Sequence, residues 1–74
     1  MENILTLRFK TLSNFMDAKL WFDTRSSYVY DTFSSEWKSF DFECSCGGDI
    51  ESLEVALESE LIEQGFDNFY FESN

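Results

Sequence analysis

Asp49-Ile50-Glu51-Ser52-Leu53-Glu54-Val55-Ala56-Leu57-Glu58-Ser59-Glu60-Leu61-Ile62-Glu63-Gln64-Gly65 contains the strongest periodicity in the chain. Ile50, Leu53, Leu57 and Leu61 recur at spacings of three, four and four. On a 3.6-residue period these side chains form one stripe, so the segment is an amphipathic helix. Asp49 is suited to cap its N-terminus. Gly65 stands where a left-handed residue would close its C-terminus. Gly47-Gly48 frees the backbone to turn into it.

The sequence on either side supplies strands and a second helix. Ile4 to Lys10 alternates, with Leu5, Leu7 and Phe9 on one side and Thr6, Arg8 and Lys10 on the other, as in a half-buried strand. Thr11-Leu12-Ser13-Asn14 breaks that pattern and offers a helix cap. Phe15 to Phe22 then reads as a short helix burying Phe15, Ala18, the Lys19 stem and Phe22, with Leu12 or Met16 at its margin. Lys19 to Thr24 also alternates, which leaves a strand open there. Tyr28 to Phe33 is rich in strand formers, and Ser34-Ser35-Glu36 is a hairpin-sized connection. Trp37 to Ser45 alternates again, with Phe40, Phe42 and Cys44 inward and Ser39, Asp41 and Glu43 outward. Phe66 to Glu72 is a last strand that turns Phe69 and Phe71 inward.

The expected order, strand-helix-strand-strand-helix-strand, is that of a ferredoxin-like βαββαβ fold. It is an α+β fold with two helices on one face of a four-stranded antiparallel sheet. If Lys19 to Thr24 is a strand, the alternative is a larger meander under one long helix. Residues 1–74 make a single domain. A chain this short is marginally stable, but nine Phe, three Tyr and two Trp can build its core without a metal or disulfide.

The formal net charge is -10, and it is unevenly distributed. Residues 1–38 hold five acids and five bases, whereas residues 39–74 hold ten acids and no base. Such a field repels nucleic acid and anionic membranes and attracts basic protein surfaces. No segment approaches the roughly 20 apolar residues of a membrane span. Met1-Glu2-Asn3 and the short broken apolar run after it do not read as a signal peptide. A cytoplasmic protein is expected.

The helix carries most of the excess. Glu51, Glu54 and Glu58 flank one side of its apolar stripe, and Glu60 and Glu63 flank the other. Glu54 with Glu58, and Glu60 with Glu63, are repulsive pairs of about 0.2–0.5 kcal/mol each. Glu60 and Glu63 also occupy the last turn, where the helix dipole favours cations. Helix stability does not account for this choice. The plain reading is a solvated face that confers solubility. The functional reading is a partner-binding surface in which Glu51, Glu54, Glu58, Glu60 and Glu63, extended by Asp41 and Glu43, occupy the Lys and Arg side chains of a nucleic-acid-binding protein. Glu54 and Glu58 are both expected to be exposed. Val55 and Ile62 lie off the stripe beside Glu51 and Glu58. Either they touch a neighbouring element, the simpler alternative, or they form an apolar spot for a partner inside the charged field.

Other chemistry is weakly represented. Cys44-Ser45-Cys46 is half of a metal site with no histidine to complete it. No metal, cofactor or direct nucleic-acid partner is expected. With no histidine for acid–base work near neutral pH, an enzyme is not expected either. Across paired strands, Arg8 and Lys10 would neutralise Asp41 and Glu43.

In size, charge and the carboxylates Glu51, Glu54, Glu58, Glu60 and Glu63, the chain resembles the small acidic inhibitors encoded by bacteriophages, including anti-CRISPR proteins and DNA mimics. The resemblance implies a stoichiometric inhibitor, in the host cytoplasm, that blocks a nucleic-acid-binding surface. Members of that class share no common fold, so it implies no site residues. The alternative is a regulatory or structural subunit of an intracellular complex, either an acidic antitoxin-like partner or a homodimer.

Overall fold

The computed structural model describes residues 3–44 and 49–73. The element order is β1 (Asn3–Phe9), α1 (Leu12–Thr24), β2 (Thr32–Ser34), β3 (Ser39–Cys44), α2 (Ile50–Glu63) and β4 (Phe69–Ser73). The fold is α+β, with a four-stranded antiparallel sheet ordered β2-β3-β1-β4. Leu5 opposes Phe42 and Leu7 opposes Phe40 across β1 and β3; Leu7 opposes Phe71 and Phe9 opposes Phe69 across β1 and β4.

This register puts the apolar halves of the strands on one face. Leu5, Leu7, Phe9, Phe40 and Phe42 join Phe15, Ala18, Trp21 and Phe22 of α1 and Leu57 and Leu61 of α2 in one buried cluster. Aromatic contacts dominate it. The Phe40 ring lies 4.8 Å from Phe15, 5.0 Å from Phe22 and 5.1 Å from Tyr30, measured between centroids. The opposite face presents Thr6, Arg8, Ser39, Asp41, Tyr70 and Glu72.

Helix α2 forms as its sequence dictates. The Asp49 carboxylate accepts from Glu51 N at 3.0 Å and from the Ser52 hydroxyl at 3.1 Å. At the other end Gly65 takes φ +89, its N–H donates to Ile62 O, and Phe66 N donates to Leu61 O. These two bonds are a Schellman closure, satisfying carbonyls that the helix leaves unpaired. Leu57 and Leu61 are fully buried, and Ile50 and Leu53 pack at the edge of the core.

Several segments differ from the sequence expectation. Helix α1 is longer than Phe15 to Phe22, because the Thr11 side chain caps it three residues earlier by accepting from Asn14 N at 3.2 Å. Lys19 to Thr24 is helical, and Trp21 rather than the Lys19 stem completes the buried face. Tyr28 to Asp31 precedes the strand β2, which is confined to Thr32–Ser34. Tyr28 and Tyr30 pack against the core, while Val29 points to solvent. One bond, Asp31 N to Asp41 O at 2.8 Å, prolongs the ladder there. Trp37 belongs to the turn, not to β3, and Lys38 closes that turn with φ +54. Phe66 precedes β4 and packs instead on Phe9 and Trp21. The side chain of Cys44, together with Ser45, Cys46, Gly47 and Gly48, lies outside the described residues.

Candidate acidic docking surface

On α2, Glu51, Glu58 and Glu63 are exposed, while Glu54 and Glu60 are half-buried at the margins of the apolar stripe. Expected as exposed, Glu54 sits closer to the core because its helical angle falls next to that of Leu61. Carboxylates one turn apart on a helix stand with their Cβ atoms roughly 5–6 Å apart. Among the described residues the ion pairs are Arg8 with Glu72 at 3.5 Å and Lys19 with Asp23 at 2.9 Å, and neither involves α2. Val55 is 63% exposed and Ile62 is 61% exposed. They share a flank with Glu51 and Glu58, so of the two alternatives the structure shows the exposed one. That flank alternates acid, apolar, acid, apolar at positions 51, 55, 58 and 62.

Asp41 and Glu43 stand apart from this group. They are on the sheet face opposite to Phe40 and Phe42, and α2 packs on the face of those phenylalanines. Asp41 is tied into the sheet: Oδ1 accepts from the Thr6 hydroxyl at 2.7 Å and Oδ2 from the Thr32 hydroxyl at 3.2 Å. It therefore staples β1, β3 and β2 together. Glu43 is exposed, and its N–H donates to the Asp31 carboxylate at 2.6 Å. The structure thus brings together Glu51, Val55, Glu58 and Ile62, with Glu54 beside them, and Glu60 and Glu63 around the helix. It does not bring Asp41 or Glu43 to them.

The expected neutralisation of Asp41 and Glu43 by Arg8 and Lys10 does not occur. Arg8 opposes Ser39 on β3 and Tyr70 on β4, and its guanidinium pairs with Glu72. Thr6 opposes Asp41 and Ile4 opposes Glu43. Lys10 lies past the end of β1, where its N–H donates to Asn68 O at 2.9 Å.

A second polar cluster joins α1 to the segment before β2. Lys19 Nζ bonds Asp23 Oδ2 at 2.9 Å, and the Tyr30 hydroxyl donates to Asp23 Oδ1 at 2.7 Å. The bond from Lys19, then that from Tyr30, holds the Asp23 carboxyl below its ordinary value of 3.8. The same carboxylate raises Lys19 above 10.5 and Tyr30 above 10.0. This cluster fastens the Tyr30 ring over the core and is structural in character.

Two surfaces went unnoticed in the sequence. Leu12, Met16 and Leu20 are 54%, 60% and 64% exposed and form a ladder along the outside of α1. Their four-residue spacing was visible, but the same spacing serves a buried face equally well. On the far side of the sheet, Arg8, Lys10, Trp37, Lys38 and Tyr70 surround a cavity of about 420 Å3. Those residues are dispersed along the chain, and only the strand register assembles them. Among the described residues, no three Asp, Glu, Cys or His side chains converge as a metal site would require.

Comparison with family models, with curated proteins and with solved structures finds no match. No described helix is long and apolar enough to cross a membrane.

Proposed function

We propose that this protein is a non-enzymatic, cytoplasmic inhibitor that docks α2 onto the basic surface of a nucleic-acid-binding protein. The phage anti-defence class, anti-CRISPR proteins and DNA mimics among them, is the setting that its size and charge resemble. One observation carries the reading: α2 holds five glutamates with no cation bonded to them among the described residues, and Val55 and Ile62 lie exposed among them. Unpaired carboxylates keep their full attraction for a partner's Lys and Arg. The two apolar side chains give the partner something to exclude water against, the usual anatomy of an interface core within a polar rim. The architecture belongs to the same proposal. The order β2-β3-β1-β4, with α1 and α2 as the two crossovers, supports a ferredoxin-like βαββαβ topology.

The test is capture of partners from a bacterial lysate at low salt, followed by charge reversal. Glu51→Lys with Glu58→Lys is the cleanest pair, since both side chains are exposed. The expected result is recovery of a basic nucleic-acid-binding protein, whose affinity falls steeply with salt and is lost in the double variant. Unchanged affinity in the double variant refutes docking through α2.

A second reading has its own observation. The Leu12, Met16 and Leu20 ladder on α1 favours a subunit of a larger complex or a homodimer. Sedimentation separates the two readings. Association through α1 is insensitive to salt and is lost in Met16→Glu.

A further inference from the structure

We propose that the groove at the end of β1, on the sheet face opposite to α2, binds a phosphate joined through a sugar to a flat aromatic base, as in a nucleoside monophosphate. This goes beyond the docking role of α2 and does not rest on it. The cavity gathers three of the five basic residues of the chain, Arg8, Lys10 and Lys38, with Trp37 and Tyr70 as aromatic walls. Glu36 is the one carboxylate lining it. The cavity is an open groove of about 420 Å3, so a bound ligand would stay partly in solvent.

The frame that holds these groups is fixed by the backbone. Phe9 N donates to Lys38 O and Lys10 N donates to Asn68 O, both at 2.9 Å. The two lysines are therefore anchored on either side of the last residue of β1. Trp37 is held in its turn by its own N–H, which donates to the Ser34 hydroxyl at 3.3 Å. Trp37 is 61% exposed, and the Arg8 guanidinium sits 5.7 Å from its ring centroid. Arg8 Nε is buried without a hydrogen-bond partner among the described residues, and Glu72 engages Nη2 only at 3.5 Å. The Arg8 side chain is 31% exposed, and the donors left to a ligand are on its Nη groups, not on the buried Nε.

These features select the ligand. A single carboxylate is matched by one arginine fork; here Arg8 is shared with Glu72, and Lys10 and Lys38 add two further cations against Glu36, a donor set that suits the three oxygens of a phosphate better. Lysine ammoniums bind phosphate as mobile point charges, and arginine adds directed N–H donors. Exposed indole and phenol faces add stacking, which any flat ring can use. The chain's net charge of -10 opposes an anion at long range. The α2 carboxylates, however, lie beyond the sheet, and a screening length of about 8 Å at physiological salt cuts their field sharply across the fold.

The experiment is a two-dimensional amide NMR titration at physiological ionic strength with adenosine 5′-monophosphate, adenosine and inorganic phosphate as separate probes. Saturable shifts are expected at the Trp37 indole and at the amides of Lys10, Lys38 and Tyr70, with α2 unmoved. The monophosphate should bind at least about tenfold more tightly than either fragment, a tenfold step being the effect of one modest interaction. Lys10→Gln with Lys38→Asn should weaken it by about tenfold or more. Asparagine is chosen because it tolerates the positive φ that Lys38 adopts. Dispersed spectra verify that this variant folds; if it does not, Lys10→Gln alone with Trp37→Ala replaces it, and each must weaken binding. The proposal is overturned if the monophosphate gives no saturable shift at millimolar concentration. It is also overturned if adenosine or phosphate alone binds as tightly, or if folded variants bind unchanged.

Discussion

Reversing two glutamates on α2 should make the protein more stable and its docking weaker. Glu58→Lys and Glu63→Lys both replace exposed side chains, so packing is left alone. In the native helix Glu58 faces Glu54 one turn back, and Glu63 faces Glu60, with no basic residue in the last turn. Each like-charge pair costs about 0.2–0.5 kcal/mol, and an opposite pair returns a similar amount, so each reversal swings about 0.4–1 kcal/mol. Placing a cation at the C-terminal end of the dipole adds about 0.3–1 kcal/mol at Glu63. The sum is about 1–3 kcal/mol at low ionic strength. Against the roughly 4–11 kcal/mol expected for a domain of this length, that is a large fraction.

For a domain of this size one kcal/mol moves the melting temperature by about 4–8 °C, so a rise of roughly 5–20 °C follows. Thermal melts followed by circular dichroism at low salt measure it directly. In molar salt, where screening acts over about 3 Å, most of the gain should vanish. A melting temperature that is unchanged or lower at low salt, with helix content intact, would refute the electrostatic account of α2. A stabilised variant that also loses its partner would mean that the native helix is less stable than it could be, at the positions where it docks.

Two further outcomes test the core and the polar cluster at its edge. Phe40→Ala removes the ring packed on Phe9, Phe15, Phe22 and Tyr30; the loss should be about 3–5 kcal/mol, enough to bring urea unfolding close to zero denaturant. The Lys19, Asp23 and Tyr30 cluster predicts a pH window. Asp23 is lowered by its partners, so its contribution is present above 3.8 and disappears as pH falls through its folded value. Lys19 and Tyr30 are raised, so their contributions are present below 10.5 and 10.0 and disappear as pH rises through their folded values. The stability difference between the native chain and Asp23→Ala should therefore be a plateau between those limits and shrink outside them, measured by melts across pH. A difference that is constant from acid to alkali would remove the cluster from the account.

How much of this could be read from the sequence depended on the range of the physical signal. Helix α2 was legible because its stripe, cap and closing glycine are all local, and the structure places Asp49, Leu57, Leu61 and Gly65 accordingly. The faces of β1 and β3 were legible because alternation has a period of two. Their register was not. Alternation says that Arg8 and Asp41 point outward, but not that Thr6 would take the place beside Asp41 and leave Arg8 to Glu72. Tyr28 and Tyr30 misled for a different reason. Strand formers favour any half-buried extended backbone, and here the rings pack into the core while the strand itself begins only at Thr32.

The same limit explains why carboxylates expected on one surface lie on two sides of the sheet. Sequence places ten acids after residue 38 but cannot say on which side of the sheet each one lies. Once β3 pairs with β1, Asp41 is committed to hydroxyls on the open face, and α2 carries its glutamates behind the other face. The sheet then separates an acidic helix from a corner holding Arg8, Lys10 and Lys38. Half of a fold of this size can be strongly negative while another part offers an anion a local site, because the screening length is shorter than the molecule's extents of 33 × 25 × 20 Å. Net charge therefore describes what the protein repels at a distance, and the placement of each side chain by the strand register determines what it can hold.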